Sequence, residues 1–555
     1  MKMVKVFCKN SGETLNFQEG SLLIDILDKF KFEHKLPILA AKVNNVVEGL
    51  KFRLYTNKDI QFLDYTSYAG RSVYCRSLCF LLTKAAGDVC PGCRITVRRP
   101  ISKGYFCEVF APDGSVMDEA CIGRIKSRMR ELVERDEMFH RHEVHTEEAI
   151  ELFRSLGFDD KVKLLETEGN VYSSYYTLDG TPDMYYDVML PSVGYLKVWE
   201  LEPFNGGMLL RVPDRHQPDR LAPFISQPKT LEVMKENVRW NNIMGLRTVG
   251  DVNVACRNGH ATDLIQVAEA LQEKKIVQIA EEIEKRFRED GARLVLITGP
   301  SSSGKTTVCK RLSIQLKACG LKPVSFSTDD YFVNRVDTPL LPDGNYDFDN
   351  FDTVDHDALQ ADVLKLLEGK EVEIPEYNFV TGIREYNGKK LSLGKDSILL
   401  IEGIHALNPK LTDKVDDLLK YKIFINAITS ISLDDHNSIA TSDNRLLRRI
   451  VRDYNNGSFT ACQTISNWPN VRRSEVKWIY PFQESADVLF NSAYLVEFAV
   501  LRSHAQAILE TVPKNRTEYS EANRLMKILQ HFTPVSDKDV PATSLIRGFI
   551  GGGSL

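Results

Sequence analysis

Long apolar runs are missing from this sequence. None approaches the ~18 residues that a membrane-spanning helix needs, so no membrane partner is expected. The opening stretch MKMVKVFCKNSGETLNF alternates as a strand does and has no apolar core of a signal peptide, which points to a cytoplasmic protein. A surplus of positive charge is missing too. With 71 Lys and Arg against 76 Asp and Glu the net charge is −5, so composition gives no support to a dominant nucleic-acid role. Repeats and low-complexity tracts are absent, apart from the terminal GFIGGGSL, which is expected to be a mobile tail. Cysteine is modest, 11 in 555 residues and mostly inside apolar patterns, as reduced buried thiols would be. Cys75, Cys79, Cys90 and Cys93 raise the question of a metal site, but Cys90-Pro-Gly-Cys93 reads as a turn, because Pro-Gly is a turn dipeptide.

What is present is ordinary globular material, 43% apolar and 26% charged, enough for three or four domains. Residues 1–67 read as strand, strand, helix, strand, strand, a β-grasp order, with Ser21 placed to start the helix. Residues 68–230 mix helices and strands. Residues 231–289 read as a helical linker, residues 290–500 as a nucleotide-binding domain, and residues 501–555 as a helical extension with a glycine-rich end. The expected fold class is an α/β P-loop domain, a parallel sheet with helices on both faces, preceded by a β-grasp domain and an α+β domain.

The most specific signal is LVLITGPSSSGKTT. Gly299 to Thr306 fit GxxxxGK[ST] between an apolar strand and a helical pattern, the context that confirms a phosphate loop. Gly299, Ser301, Ser302, Ser303, Gly304, Lys305, Thr306 and Thr307 would then surround the phosphates of ATP. Backbone N–H groups and the helix N-terminus supply the positive field. Lys305 would bridge the terminal phosphates and Thr306 would ligate Mg²⁺. Downstream, KPVSFSTDDYF ends in Asp329 and Asp330, carboxylates at a strand end that can take a hydroxyl proton. DSILLIEGIHAL places Glu402 where an acidic residue can hold Mg²⁺ or its waters. In NRLLRRIVRD, Arg445, Arg448 or Arg449, and Arg452 share a helix face, a row able to clamp phosphates as a lid closes.

Together with NYDFDNFD, IPEYNFVTGIR and ADVLFNSA, these motifs resemble the uridine kinase/phosphoribulokinase family of P-loop nucleoside kinases over residues 291 to about 500. The resemblance implies an ATP- and Mg²⁺-dependent phosphotransferase acting on a nucleoside 5′-hydroxyl. It implies Asp329 as the base, with Lys305, Arg448 and Arg452 also catalytic. It gives Asp347 to the ribose, Tyr377 and Phe379 to the base pocket, and Tyr331 and Arg445 to the substrate side. Residues 1 to about 65 resemble a TGS domain, and 70 to about 230 the editing domain of threonyl-tRNA synthetases.

The resemblance is broken at two places. The editing domain's HxxxH and CxxxH positions hold Arg76, Phe80, Tyr185 and Met189, so its hydrolytic chemistry is expected to be lost. The HRHEVH run, His140, His142 and His145, is expected to face solvent rather than replace it. In the kinase, Gly382 stands where pyrimidine kinases of the family carry a histidine, which is expected to open the pocket and relax base preference, with uridine the leading acceptor. Two alternatives stay open. One is an RNA- or ribosome-associated regulator using a basic stretch such as RITVRRPISK; the other is a kinase of another alcohol or a sugar phosphate. RNA contact and self-association as a homo-oligomer are likewise left open.

Overall fold

The strand Leu294–Thr298 is buried at all of its positions, which only a central parallel strand covered on both faces requires. It sits in the middle of a five-stranded parallel sheet. The order across it is Lys322–Ser327, Ser397–Glu402, Leu294–Thr298, Lys420–Asn426, Val488–Asn491. The computed structural model describes residues 2–341 and 344–555, and Arg99 of the basic stretch lies outside the described side chains. Among the described residues no helix is long and apolar enough to cross a membrane.

Helices cover both faces of this sheet. On one face Ile276, Ile279, Ala280 and Ile283, at helical spacing within Ala261–Glu289, meet Val295, Ile297, Ile398 and Ile423. The phosphate-loop helix Lys305–Ala318 joins them through Val308, Leu312 and Leu316. On the other face lie Leu359, Val363 and Leu366 of the helix His356–Leu367, and Leu231 and Met234 of the helix Pro228–Ile243. The segment read as a linker therefore forms three packed helices, Pro228–Ile243, Val249–Arg257 and Ala261–Glu289, two of which wall the core of the parallel-sheet domain. Arg311 ties the last of these to the phosphate-loop helix through Glu269 at 3.2 Å and Glu273.

The N-terminal sheet runs Glu13–Gln18, Met3–Cys8, Lys58–Leu63, Ala40–Val43, Val46–Glu48. The stretch PILAAKVNNVV is not one strand but a hairpin. Asn44 and Asn45 both take positive φ, 48° and 63°, the backbone of a two-residue turn that asparagine tolerates. The next unit packs the helices Tyr68–Val89 and Glu119–Glu134 against a four-stranded sheet, Glu200–Phe204, Gly207–Arg211, Gly104–Phe110, Arg94–Ile101. Ser67 caps the first helix by accepting from the Gly70 amide at 3.0 Å. Cys90 to Cys93 form a turn closed by the Cys93 amide on the Cys90 carbonyl at 3.1 Å. His140, His142 and His145 lie on the strand Phe139–His145, and His142 and His145 lie against Tyr175 and Tyr172 of its neighbour.

This unit is not a separate bead. Phe106 and Leu209 of its sheet share an apolar cluster with Leu294, Leu296 and Phe424 of the parallel sheet. Two arginines of the basic strand have internal partners: Arg94 pairs with Asp435 at 3.0 Å and Arg98 with Glu108 at 2.9 Å. Residues 432–437, between the strand Lys420–Asn426 of the parallel sheet and the helix Thr441–Asn455, plug into a buried polar nest. Lys161 pairs with Asp183 at 3.0 Å and Asp434 at 3.2 Å; His436 Nδ1 meets Asp183 at 2.7 Å; Tyr186 donates to Asp434 at 2.8 Å.

The glycine-rich end is packed rather than mobile. Ile546, Phe549 and Ile550 are buried, Phe549 lies under the guanidinium of Arg448, and the Ser554 amide returns to the Ala542 carbonyl at 2.9 Å. Its apolar pair Phe549-Ile550, set between glycines, is too short a pattern to show that it has a surface to meet.

Candidate active site

The loop Gly299–Gly304 leaves the central strand at its C-terminal end and opens into the helix that starts at Lys305. Close approach sets the first position. A β-carbon at 299 would lie 2.1 Å from the Ile425 carbonyl oxygen, so only glycine fits. Lys305 lies across the loop and donates to the Gly299 carbonyl at 3.0 Å and the Pro300 carbonyl at 3.4 Å. The hydroxyls of Ser302 and Ser303 are buried and unpartnered, polar groups waiting for an acceptor. Thr306 donates to Glu402 at 3.1 Å, so hydroxyl and carboxylate stand together at the mouth of the loop.

Asp329 is the second residue of the short turn Thr328–Tyr331 that follows the edge strand Lys322–Ser327; Ser327 caps the turn. Burial, reinforced by the nearby Glu402 charge and opposed by Lys305, pushes its carboxyl up to about 7. Burial likewise raises Glu402 and lowers Lys305, whose charge Glu402 and Asp329 help to keep. A carboxylate, a carboxylic acid near neutrality and an ammonium thus converge at the edge where ligands of parallel sheets sit. Among the described residues no group of three or more His, Cys, Asp or Glu stands ready to hold a metal unaided. Thr306 and Glu402 still fit Mg²⁺, which takes one or two protein oxygens and completes its shell with phosphate and water.

The arginine row does not face the loop as an open clamp. Arg445 and Arg448 are fully buried. Arg445 pairs with Glu475 and donates to the Ser301 carbonyl at 2.9 Å; Arg448 pairs with Glu497 and donates to the Ser302 carbonyl at 3.3 Å and the Ser492 carbonyl at 2.8 Å. Both brace the loop from behind, and their charge is met by carboxylates that sequence spacing could not place beside them. Arg449 and Arg452 are the freer pair. Arg449 donates to the Ser301 hydroxyl at 2.9 Å, and Arg452 holds Asp453 at 2.8 Å. Thr307 lies on the far side of the first helical turn, where a β-carbon on Gly548 would approach its hydroxyl to 3.0 Å.

On the acceptor side, Asp347 accepts from Asn350 at 3.2 Å. Asp349, two residues on, is a residue of this cleft that the sequence alone does not single out. Burial pushes it up to about 6; Arg449 draws it down, while Glu475 and Asp347 raise it, so it belongs to the same electrostatic cluster. The three aspartates of NYDFDNFD were the signal, but alternation alone could not say which one turns inward. His405, just past Glu402, is buried and held neutral at about 3 by desolvation. Tyr331 is buried, and its hydroxyl donates to Asp362 at 3.2 Å, so it supports the turn from beneath rather than facing the acceptor.

Tyr377 and Phe379 lie with ring centroids 5.0 Å apart, and Phe332 joins them at 5.4 and 6.0 Å. Tyr377 is buried, whereas Phe379 is 59% exposed, an aromatic face open to a planar partner. The room expected at Gly382 is occupied. A β-carbon there would lie 2.7 Å from Arg335 Cβ and 2.8 Å from its Nε. In the second unit the altered positions hold no polar cluster of their own. Phe80, Tyr185 and Met189 are core residues, and Arg76 donates to the Val188 carbonyl at 2.7 Å.

Known proteins show the same division. The model of the phosphoribulokinase / uridine kinase family matches residues 294–498. A uridine kinase of Mycoplasma genitalium is 32% identical over 164 residues, 30% of this chain and 68% of that protein. The N-terminal part is similar to a threonine–tRNA ligase of Porphyromonas gingivalis, 24% identical over 218 residues, 39% of this chain and only 33% of the ligase. A solved structure described as a possible uridine kinase from Bacillus stearothermophilus aligns over 36% of this chain and 89% of its own, with 19% identity and a TM-score of 0.25. With a phosphate loop, a strand-end carboxylate pair and a relative matched over most of its length, the chain belongs, through residues 294–498, to the phosphoribulokinase/uridine kinase family.

Proposed function

We propose that this chain transfers the terminal phosphoryl group of ATP to the 5′-hydroxyl of a nucleoside. The observation that carries the reading is a single turn with two duties. Thr328–Tyr331 holds Asp329 beside Lys305 and Glu402, and the residue that follows it, Phe332, closes the aromatic cluster with Tyr377 and Phe379. A nucleobase against Phe379 would thus bring its sugar to the carboxylate that faces the phosphate loop.

The loop amides and the freed Ser302 and Ser303 hydroxyls hold the phosphates, and Lys305 swings from the Gly299 carbonyl to the transferring group. Thr306 and Glu402 would hold Mg²⁺, which when bound neutralises charge on the phosphates. Asp329 orients the hydroxyl and accepts its proton; with a carboxyl near 7 it is a base matched to neutral solution. Asp347 and Asp349 serve the ribose hydroxyls, and Arg449 and Arg452 are the guanidiniums left to follow the departing charge. A phosphorylation screen of the purified chain against uridine, cytidine, adenosine, guanosine and inosine with ATP and Mg²⁺ tests the reading. Transfer to at least one is expected, and transfer only to non-nucleoside alcohols would replace it.

For the N-terminal half we propose a scaffold without hydrolytic chemistry. Supporting this, Phe80 and Tyr185 rings stand 5.1 Å apart where a polar site would have to be, and no base or metal ligand remains among them. Deacylation of a mischarged tRNA by the full chain would overturn it.

A further inference from the structure

Gly382 and Arg335 occupy one place between them. Gly382 has φ +72°, and the position of its absent β-carbon is filled by Arg335, with Cβ, Nε and Cζ all within 2.9 Å of it. The Arg335 amide donates to the Gly382 carbonyl at 2.8 Å, and its Nη2 donates to the Phe379 carbonyl. The guanidinium is therefore fastened by one nitrogen to the backbone of the exposed aromatic residue. Its Nε is buried and has no hydrogen-bond partner, and so is the hydroxyl of Tyr377 in the same aromatic cluster. A buried, unpaired donor on a charged group is costly unless something accepts from it.

We propose that Arg335 reads the nucleobase of the acceptor and favours bases that present a carbonyl oxygen over bases that present an amino group. The proposal rests on the nucleoside-kinase reading and deepens it. A guanidinium only donates. Facing the exocyclic oxygen of uracil or hypoxanthine it makes a charge-assisted hydrogen bond. Facing the amino group of cytosine or adenine it meets another donor, and the buried Nε stays unpaired. The base preference is thus set by exchange of one side chain for another at a shared position, not by loss of readout. Ring size is left to the open side of Phe379, so the oxo preference holds for pyrimidines and purines alike.

Calorimetric titration of the full chain with uridine, cytidine, inosine and adenosine tests this without requiring turnover. Uridine over cytidine and inosine over adenosine are each expected to differ by about 10- to 100-fold in Kd, the worth of one hydrogen bond to a charged group. Arg335→Met is expected to bring both ratios to within about threefold, and Arg335→Lys to keep part of each. Wild-type ratios near one, a preference for the amino bases, ratios unchanged in Arg335→Met, or failure of all four nucleosides to bind would each overturn the proposal. The wild-type ratios decide even if the variants fold poorly. If the oxo preference appears but no phosphate is transferred, the base reading stands and the kinase reading falls.

Discussion

Asp329 carries the clearest residue-level consequence. Its carboxyl is raised from 3.8 to about 7, so the folded state holds a proton that the unfolded chain has released between those values. The site therefore loses stability as pH rises through that window, while the base becomes available only above it. The kcat/KM for the acceptor is expected to fall about tenfold per pH unit below 7. The acid limb of kcat is expected at lower pH, because bound Mg²⁺ favours the carboxylate. Asp329→Asn is expected to keep ATP binding and lose about 10²–10⁴-fold in turnover; near-native turnover in this variant would remove Asp329 from the chemistry. Lys305→Ala is expected to abolish transfer, since no other side chain of the loop carries positive charge. Lys305, Thr306, Asp329 and Glu402 were legible in the sequence because each sits at a fixed offset from an apolar strand. The bracing role of Arg445 and Arg448 was not, for the opposite reason. Their partners, Glu475 and Glu497, lie on other elements, and a buried ion pair leaves no local trace in either segment.

At the scale of elements, the helix Thr441–Asn455 and the short tail helix Arg547–Ile550 act together. Arg448 grips the phosphate loop with one side of its guanidinium while Phe549 covers another, 4.8 Å from the ring centre. Phe549→Ala is expected to lower thermal stability by the equivalent of about 3–5 kcal/mol. It is also expected to weaken ATP binding, which Asp329→Asn leaves intact. Thermal unfolding and ATP titration of both variants separate the two effects, and unaltered ATP affinity in Phe549→Ala would make the tail a mere cover. Helices and strands were largely legible from periodicity, because burial on one face imposes 3.6- and 2-residue rhythms. The hairpin at Asn44–Asn45 was hidden because both its arms are apolar enough to read as one strand. The tail was hidden because its anchor lies on a helix far upstream.

Across the whole molecule, the two halves are joined by charge as well as by apolar surface. Lys161→Met would leave Asp183 and Asp434 buried beside a single remaining cation, His436, at a cost of about 3–5 kcal/mol. A lowered melting temperature is expected, together with reduced kinase turnover, because residues 432–437 lead directly into the arginine helix. Unchanged turnover at a temperature where the variant is fully folded would show that the nest only fastens the halves. Burial opposes protonation of His436, but Asp183 and Asp434 outweigh it and hold its pKa above the usual 6.5. Its contribution to stability is then complete below 6.5 and fades as pH rises through the higher folded value. The covering of Arg448 by Phe549 also sets an order of events during synthesis. A ribosome releases the β-grasp unit and the phosphate loop long before residues 546–550 emerge, so a nascent chain carries a complete phosphate-loop motif whose brace is still uncovered. A chain ending before residue 546 would keep the Arg448–Glu497 pair behind the loop but leave that buried guanidinium open to water on the side the ring now closes.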